Sequence, residues 1–210
     1  MEKLIVINPF CPEERKHERL DMITSCSLEG YNYYEIKNVE EMENMDLRNK
    51  RILFTISLGK SGINLTWYGI MKYLRLNHDV LEGSTGGVIL DGDCEFYTKS
   101  TGRSLVFTAN RAGCTFPGRP LVEGTRTLKN YNIQAHNQGT DNIGAYVNAG
   151  RELVRNIMEY KKPEIKNPKL LVLHAGSNST SNSLALWEMV KRNLCGFSFE
   201  EISLRNGEIY

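Results

Sequence analysis

An α/β protein is what this sequence predicts: one parallel sheet covered on both faces, then the opening of a second such sheet. Three observations carry that reading. Short, continuous apolar runs bounded by turn residues, such as Leu4–Ile7, Arg51–Leu58 and Lys169–Leu173, have the composition of strands buried on both faces. Segments with helical apolar spacing stand between them, so strand and helix alternate. The stretch Lys161-Lys-Pro-Glu-Ile-Lys-Asn-Pro168, with two prolines and four charges, then separates one full set of elements from a shorter one.

Leu4-Ile-Val-Ile7 reads as a central strand ended by Asn8-Pro9, and Glu13–Ser27 as a helix with Leu20 and Ile23 on one face. Tyr31–Ile36 resembles a strand, and Asn38–Asn49 an acidic connection. Arg51–Leu58 is the clearest buried strand of the first half. The loop Gly59-Lys-Ser-Gly62 leads into a helix at Leu65–Leu76, with Trp67, Ile70, Met71 and Leu74 on its apolar side. Gly86–Asp91 is a further strand and Thr98–Ala112 a helix closed by Gly113. Arg119–Val122 and Leu128–Ala135 read as irregular or strand-like. Asp141 has the position of an N-cap for a long helix over Asn142–Tyr160. Five strands before the linker fit a doubly wound, flavodoxin-like order. The predicted domains are 1–162 and 169–210, joined by a linker at 163–168. The second offers only strand (169–174), helix (183–194) and strand (197–204), the first β-α-β of another such sheet.

Composition narrows the function. Lys plus Arg (26) balance Asp plus Glu (25), which gives no global electrostatic basis for nucleic-acid binding. No apolar run approaches the ~20 residues of a membrane span, and the N-terminus has no signal-peptide pattern, so a cytoplasmic protein is expected. Cys11, Cys26, Cys94, Cys114 and Cys195 are scattered, as are His17, His78, His136 and His174. Neither set has the spacing of a zinc site or a disulfide framework, so reduced thiols packed as small hydrophobes are expected and no metal. No G-x-S-x-G elbow supports hydrolase chemistry.

The richest stretch is Leu171-Val-Leu-His-Ala-Gly-Ser-Asn-Ser-Thr-Ser-Asn-Ser-Leu-Ala-Leu186. A buried strand, a loop of small hydroxyl and amide residues and an amphipathic helix together present donors to the positive end of a helix, which suits a phosphate. This stretch resembles the opening of the NADPH-dependent FMN reductases and iron–sulfur flavoproteins, which have a flavodoxin-like fold. The likeness continues through Glu200–Tyr210. It implies an FMN-dependent NAD(P)H oxidoreductase, with this chain as its N-terminal portion. Carried over to matching positions, it implies that Ser177, Thr180, Ser181, Asn182 and Ser183 hold the FMN phosphate. The loop departs from the common pattern in being one residue shorter and in replacing a frequent Arg or Lys by Ser179 or Thr180, which implies weaker binding. No side chain stands out as a catalytic acid or base, and flavin chemistry does not require one.

The first domain gives mixed signals. Its opening loop carries Glu13 and Glu14 where a phosphate would sit, which disfavours FMN there. Trp67 and Tyr68 have the character to stack on a flavin, though helix-face aromatics more often serve a core. Gly83-Ser-Thr-Gly-Gly87 is glycine-rich but precedes a strand, not a helix. The loop Asn110–Pro120 carries Arg111, Cys114 and Arg119 and is a weaker anion candidate. A non-catalytic flavodoxin-like docking or dimerisation module without flavin is the alternative. A homodimer joined partly through 169–204 is expected, because a lone β-α-β unit leaves an unpaired edge and an apolar face.

Overall fold

A computed structural model describes residues 3–10, 18–176 and 180–204. The chain divides into two compact units, Met1–Tyr160 and Lys161–Tyr210. The first is a five-stranded, wholly parallel sheet of β1 (Leu4–Ile7), β2 (Tyr33–Ile36), β3 (Arg51–Leu58), β4 (Thr85–Gly92) and β5 (Leu121–Gly124). The order across the sheet is β2-β1-β3-β4-β5, the flavodoxin-like doubly wound arrangement predicted from the alternation of elements. β3 and β4 pair along their whole lengths, from Arg51 opposite Thr85 to Leu58 opposite Gly92.

Helices cover both faces because alternate strand residues are apolar on both sides. On one face Ile5, Ile7, Ile52, Phe54 and Ile56 pack with Trp67, Ile70, Met71 and Leu74 of α3 (Leu65–Leu76) and with Leu105 and Ala109 of α4 (Thr98–Arg111). The intervening α2 is the short helix Val39–Glu43. On the other face Leu4, Val6, Leu53 and Ile89 meet Leu20 and Ile23 of α1 (Glu18–Ser27), with Leu153, Val154 and Ile157 of α6 (Asn142–Glu159). Burying each such side chain favours the fold by about 1.5–3 kcal/mol, so these two layers hold the sheet together.

Two expectations need correction. Asn38–Asn49 holds α2, because Asn38 accepts from Glu41 N–H at 2.9 Å while the Glu41 carboxylate accepts from Lys37 N–H at 2.8 Å. Leu128–Ala135 is helical, not strand-like: a 3₁₀ turn at Lys129–Tyr131 runs into α5 (Asn132–Gln138). Leu128, Tyr131 and Ala135 are its buried residues, and steps of three and four are a helical period. The first helix is described only from Glu18; residues 13–17 of its expected range lie outside the described residues.

The second unit pairs β6 (Lys169–His174) in parallel with β7 (Ser198–Ser203), and α7 (Asn182–Asn193) connects them. Trp187 meets Phe199 edge-on at 5.6 Å between ring centres, which seats the helix against one face of the two strands. The opposite face keeps Leu171 (58%) and Leu173 (57%) exposed, and α7 has no fully buried residue.

Candidate functional site

In a sheet of this order, ligands sit outside the carboxyl ends of the strands, where the winding direction reverses between β1 and β3. Asn64 occupies that point in the first unit. It is fully buried, accepts from Trp67 N–H at 2.9 Å as the N-cap of α3, and donates to the carbonyls of Ser57 (3.0 Å) and Pro9 (3.4 Å). Its amide therefore ties the β1 and β3 ends together. Beside it a depression of about 280 Å³ is lined by Asn8, Pro9, Phe10, Asp21, Glu35, Lys37 and Ser57. Asn8 donates to the Glu35 carboxylate at 2.7 Å. Two carboxylates against one lysine make a poor phosphate cradle, while Glu13 and Glu14 of the opening loop lie outside the described residues.

The rim around this point carries aromatic side chains that sequence reasoning did not single out. Tyr97 heads α4 with φ +73, a left-handed conformation unusual for a bulky residue, and its ring lies over Gly62 of the β3 loop. Any side chain at position 62 would collide with that ring, so glycine is required there. Phe96 meets Tyr97 edge-on at 6.4 Å. The available signal was two adjacent aromatics between a strand and a helix. Of the two aromatics proposed from sequence, Trp67 is core and Tyr68 is exposed.

Two other candidates resolve into structure. The Ser84 hydroxyl donates to Leu47 C=O at 2.6 Å and accepts from Lys50 N–H at 2.9 Å, so the glycine-rich stretch 83–87 serves to fasten the start of β4. In the loop 110–120, Cys114 is buried and its thiol is pushed up to about 12 by burial. Arg119 borders a depression that also contains Glu123 and Glu152.

In the second unit, β6 ends at His174, and Ser181 is the N-cap of α7. The Ser181 hydroxyl accepts from Leu184 N–H at 3.3 Å. A Cβ on Gly176 would lie 2.5 Å from that hydroxyl oxygen, so a larger residue there would have to displace the cap. A depression of about 550 Å³ opens there, lined by His174, Thr180, Ser181, Asn182, Leu184, Ala185, Glu188 and Glu201. The structure thus brings Thr180, Ser181 and Asn182 to one hollow. Ser183 is exposed and does not line it, and Ser177 lies outside the described residues. Among the described residues, His174 Nδ1 is shielded from solvent and has no hydrogen-bond partner. Glu188 and Glu201 add negative charge, but Lys191 offsets it: it pairs with Glu201 and stands 3.9 Å from Glu188. The Lys191 hydrogen bond holds the Glu201 carboxyl below its ordinary range. Among the described residues no cluster of metal-ligating side chains occurs, and no helix is long and apolar enough to cross a membrane.

No family model matches the sequence, and no curated protein matches it. Solved structures resemble it in fold. RosB, in a structure with bound 8-demethyl-8-formylriboflavin-5'-phosphate, has a TM-score of 0.52 at 9% identity, covering 100% of this chain and 94% of RosB. The flavodoxin, WrbA-like protein from Agrobacterium tumefaciens has a TM-score of 0.49 at 10% identity, covering 77% of this chain and 100% of its own. A flavodoxin from Fusobacterium nucleatum bound to flavin mononucleotide has a TM-score of 0.44 at 13% identity, covering 72% of this chain and 98% of its own. At such identities the likeness is one of fold, and the fold is flavodoxin-like.

Proposed function

We propose that this chain is an FMN-binding protein acting as, or within, an NAD(P)H-dependent oxidoreductase, with the flavin phosphate held at the start of α7. The observation that carries this reading is the convergence of Thr180, Ser181 and Asn182 with His174, whose Nδ1 has no hydrogen-bond partner among the described residues, around one hollow at the end of a strand. Hydroxyl and amide donors at the N-terminus of a twelve-residue helix are the chemistry a phosphate monoester needs. When bound, FMN supplies hydride acceptance from a nicotinamide and onward electron transfer, while the protein supplies orientation and electrostatics. Ser181 spends its acceptor lone pair on the helix cap, which leaves its hydroxyl proton for the phosphate. Asn182 and Thr180 flank it, and His174 lines the same hollow.

The absorption spectrum of the purified full chain after mixing with FMN, and its NAD(P)H consumption, test the proposal. Saturable flavin binding is expected, and Thr180→Glu is expected to weaken it by about 1–3 kcal/mol by placing like charge beside the phosphate. Unchanged flavin content in that variant would remove the site assignment. A flavin-free docking module is the second reading, and Asn64 favours it. Its side chain already bridges the β1 and β3 ends, and the adjoining depression offers Asp21 and Glu35 where a phosphate would need donors. A chain that takes up no FMN at saturating concentration decides for it.

A further inference from the structure

α3 and α4 lie side by side, and the groove between them encloses about 480 Å³ over a floor of Trp67 and Met71. Its walls are Tyr68, Lys72, Arg75 and Leu76 from α3, with Ser100, Thr101 and Ser104 from α4. Phe107 and Arg111 continue the Ser100–Ser104 stripe at helical spacing. Three large apolar side chains stand exposed here: Tyr68 (59%), Leu76 (70%) and Phe107 (66%). The charge is one-signed. The two helices carry Lys72, Arg75, Lys99, Arg103 and Arg111 and not a single Asp or Glu, in a chain where cations and acids number 26 and 25. Lys99 borders a different depression, beside Glu123 and Glu152. Burial, with Glu43 of α2 adding to it, raises the Tyr73 hydroxyl above its ordinary range. Lys72, Arg75 and Arg111 make no ion pair within 4.0 Å among the described residues.

We propose that this groove docks an acidic amphipathic helix of a partner protein. Its apolar side chains would lie between Tyr68, Leu76 and Phe107, and its carboxylates would meet Lys72, Arg75 and Arg111. Aromatic residues with arginine around an apolar centre are the composition of a protein-binding hot spot. A groove between two parallel helix surfaces fits the helix-in-groove mode of recognition. Nucleic acid fits less well, because phosphate-driven binding needs a longer run of cations than this groove presents. The inference does not depend on flavin being bound.

Fluorescence anisotropy on the full chain tests it, using a labelled peptide of about fourteen residues with Leu and Phe at helical spacing and Glu elsewhere. The same peptide with Gln for Glu and an oligodeoxythymidine of similar length are the controls. The acidic peptide is expected to bind roughly tenfold or more tightly than the Gln peptide, with affinity falling as salt rises. Lys72→Glu with Arg75→Glu should cost at least about tenfold, and Phe107→Ser should weaken binding without altering its salt dependence. All three positions are exposed, and melting curves of the variants check that the fold persists. The milder Lys72→Gln with Arg75→Gln replaces any variant that does not fold. Equal binding of the Glu and Gln peptides, indifference to the charge variants, tighter binding of the oligonucleotide, or no saturation by the acidic peptide would each overturn the proposal.

Discussion

Arg19 ties three parts of the first unit together. From α1 it forms a bidentate pair with the Asp91 carboxylate of β4 at 2.8 and 2.9 Å, and donates to the carbonyls of Gly92, Thr125 and Arg126. Burial raises the Asp91 carboxyl above its ordinary range even though Arg19 pulls the other way. The sign follows: ionising Asp91 weakens the fold, so its contribution is full below the unfolded carboxylate pKa of about 3.9 and is lost as pH rises through the higher folded value. Removing Arg19 leaves that carboxylate unpaired. Arg19→Met is expected to cost about 2–3 kcal/mol at neutral pH, less than a fully buried pair because the site is partly solvated. The cost should shrink in mild acid, where Asp91 takes up a proton, and urea titrations at both pH values measure it. None of this was legible in the sequence, since the partners lie 72 residues apart with no local pattern to join them. The cysteines were legible in part. Cys114 is the buried thiol expected of a small hydrophobe, whereas Cys195 is exposed. Alkylation followed by mass spectrometry should label Cys195 readily and Cys114 only on unfolding, because burial keeps the latter in its unreactive thiol form.

At the level of elements, close approach is set by where side chains are missing. Gly87 lies in the middle of β4, and a Cβ there would come within 2.6 Å of Leu153 Cδ1 and 2.8 Å of Ile157 Cδ1. Both partners are buried in α6, and their terminal methyls must shift to admit it. Gly87→Ala is expected to destabilise the protein by about 1–3 kcal/mol through overpacking. Leu153→Ala in the same chain should recover part of that loss, giving a non-additive double-mutant cycle by thermal melts. β3 and α3 were read from the sequence with their observed ends, because their apolar residues run unbroken or at clean helical spacing. α2 and α5 were not. Each is no more than seven residues long, too short for a period to register, and each depends on caps and on burial by neighbours. In the second unit, of the five residues carried over for the FMN phosphate, Thr180, Ser181 and Asn182 line one hollow, Ser183 does not, and Ser177 lies outside the described residues. The Phe96–Tyr97 rim went unread because its partner, Gly62, arrives from another loop.

For the whole molecule, the contrast between the two units has measurable consequences. Residues 161–167 are exposed along their length and include Lys161 and Lys166, while Met1–Tyr160 has its own sheet and two packed faces. Limited trypsin digestion is expected to cut first between 161 and 169 and to leave an N-terminal fragment that still melts cooperatively. Earlier cleavage within the first unit would count against independent folding. Among the described residues the second unit has no comparable core: β6, β7 and α7 leave Leu171, Leu173 and Ile202 exposed, and so small a set of elements gains little from burial. The same sheet face carries Lys169 paired with Glu200 at 2.6 Å, next to those leucines. One cation and one anion beside an apolar centre make a surface complementary to itself, because a two-fold axis can set each Lys169 against the other copy's Glu200. A homodimer formed through this face is therefore expected. Sedimentation at tens of micromolar, roughly the range of modest protein pairs, should show two copies of the full chain. A chain ending at Tyr160 should sediment as one. Leu171→Lys with Leu173→Lys should dissociate the dimer while leaving the first unit's melting transition in place, because like charges would then meet across the axis. A full-length monomer at that concentration would rule out the self-pairing.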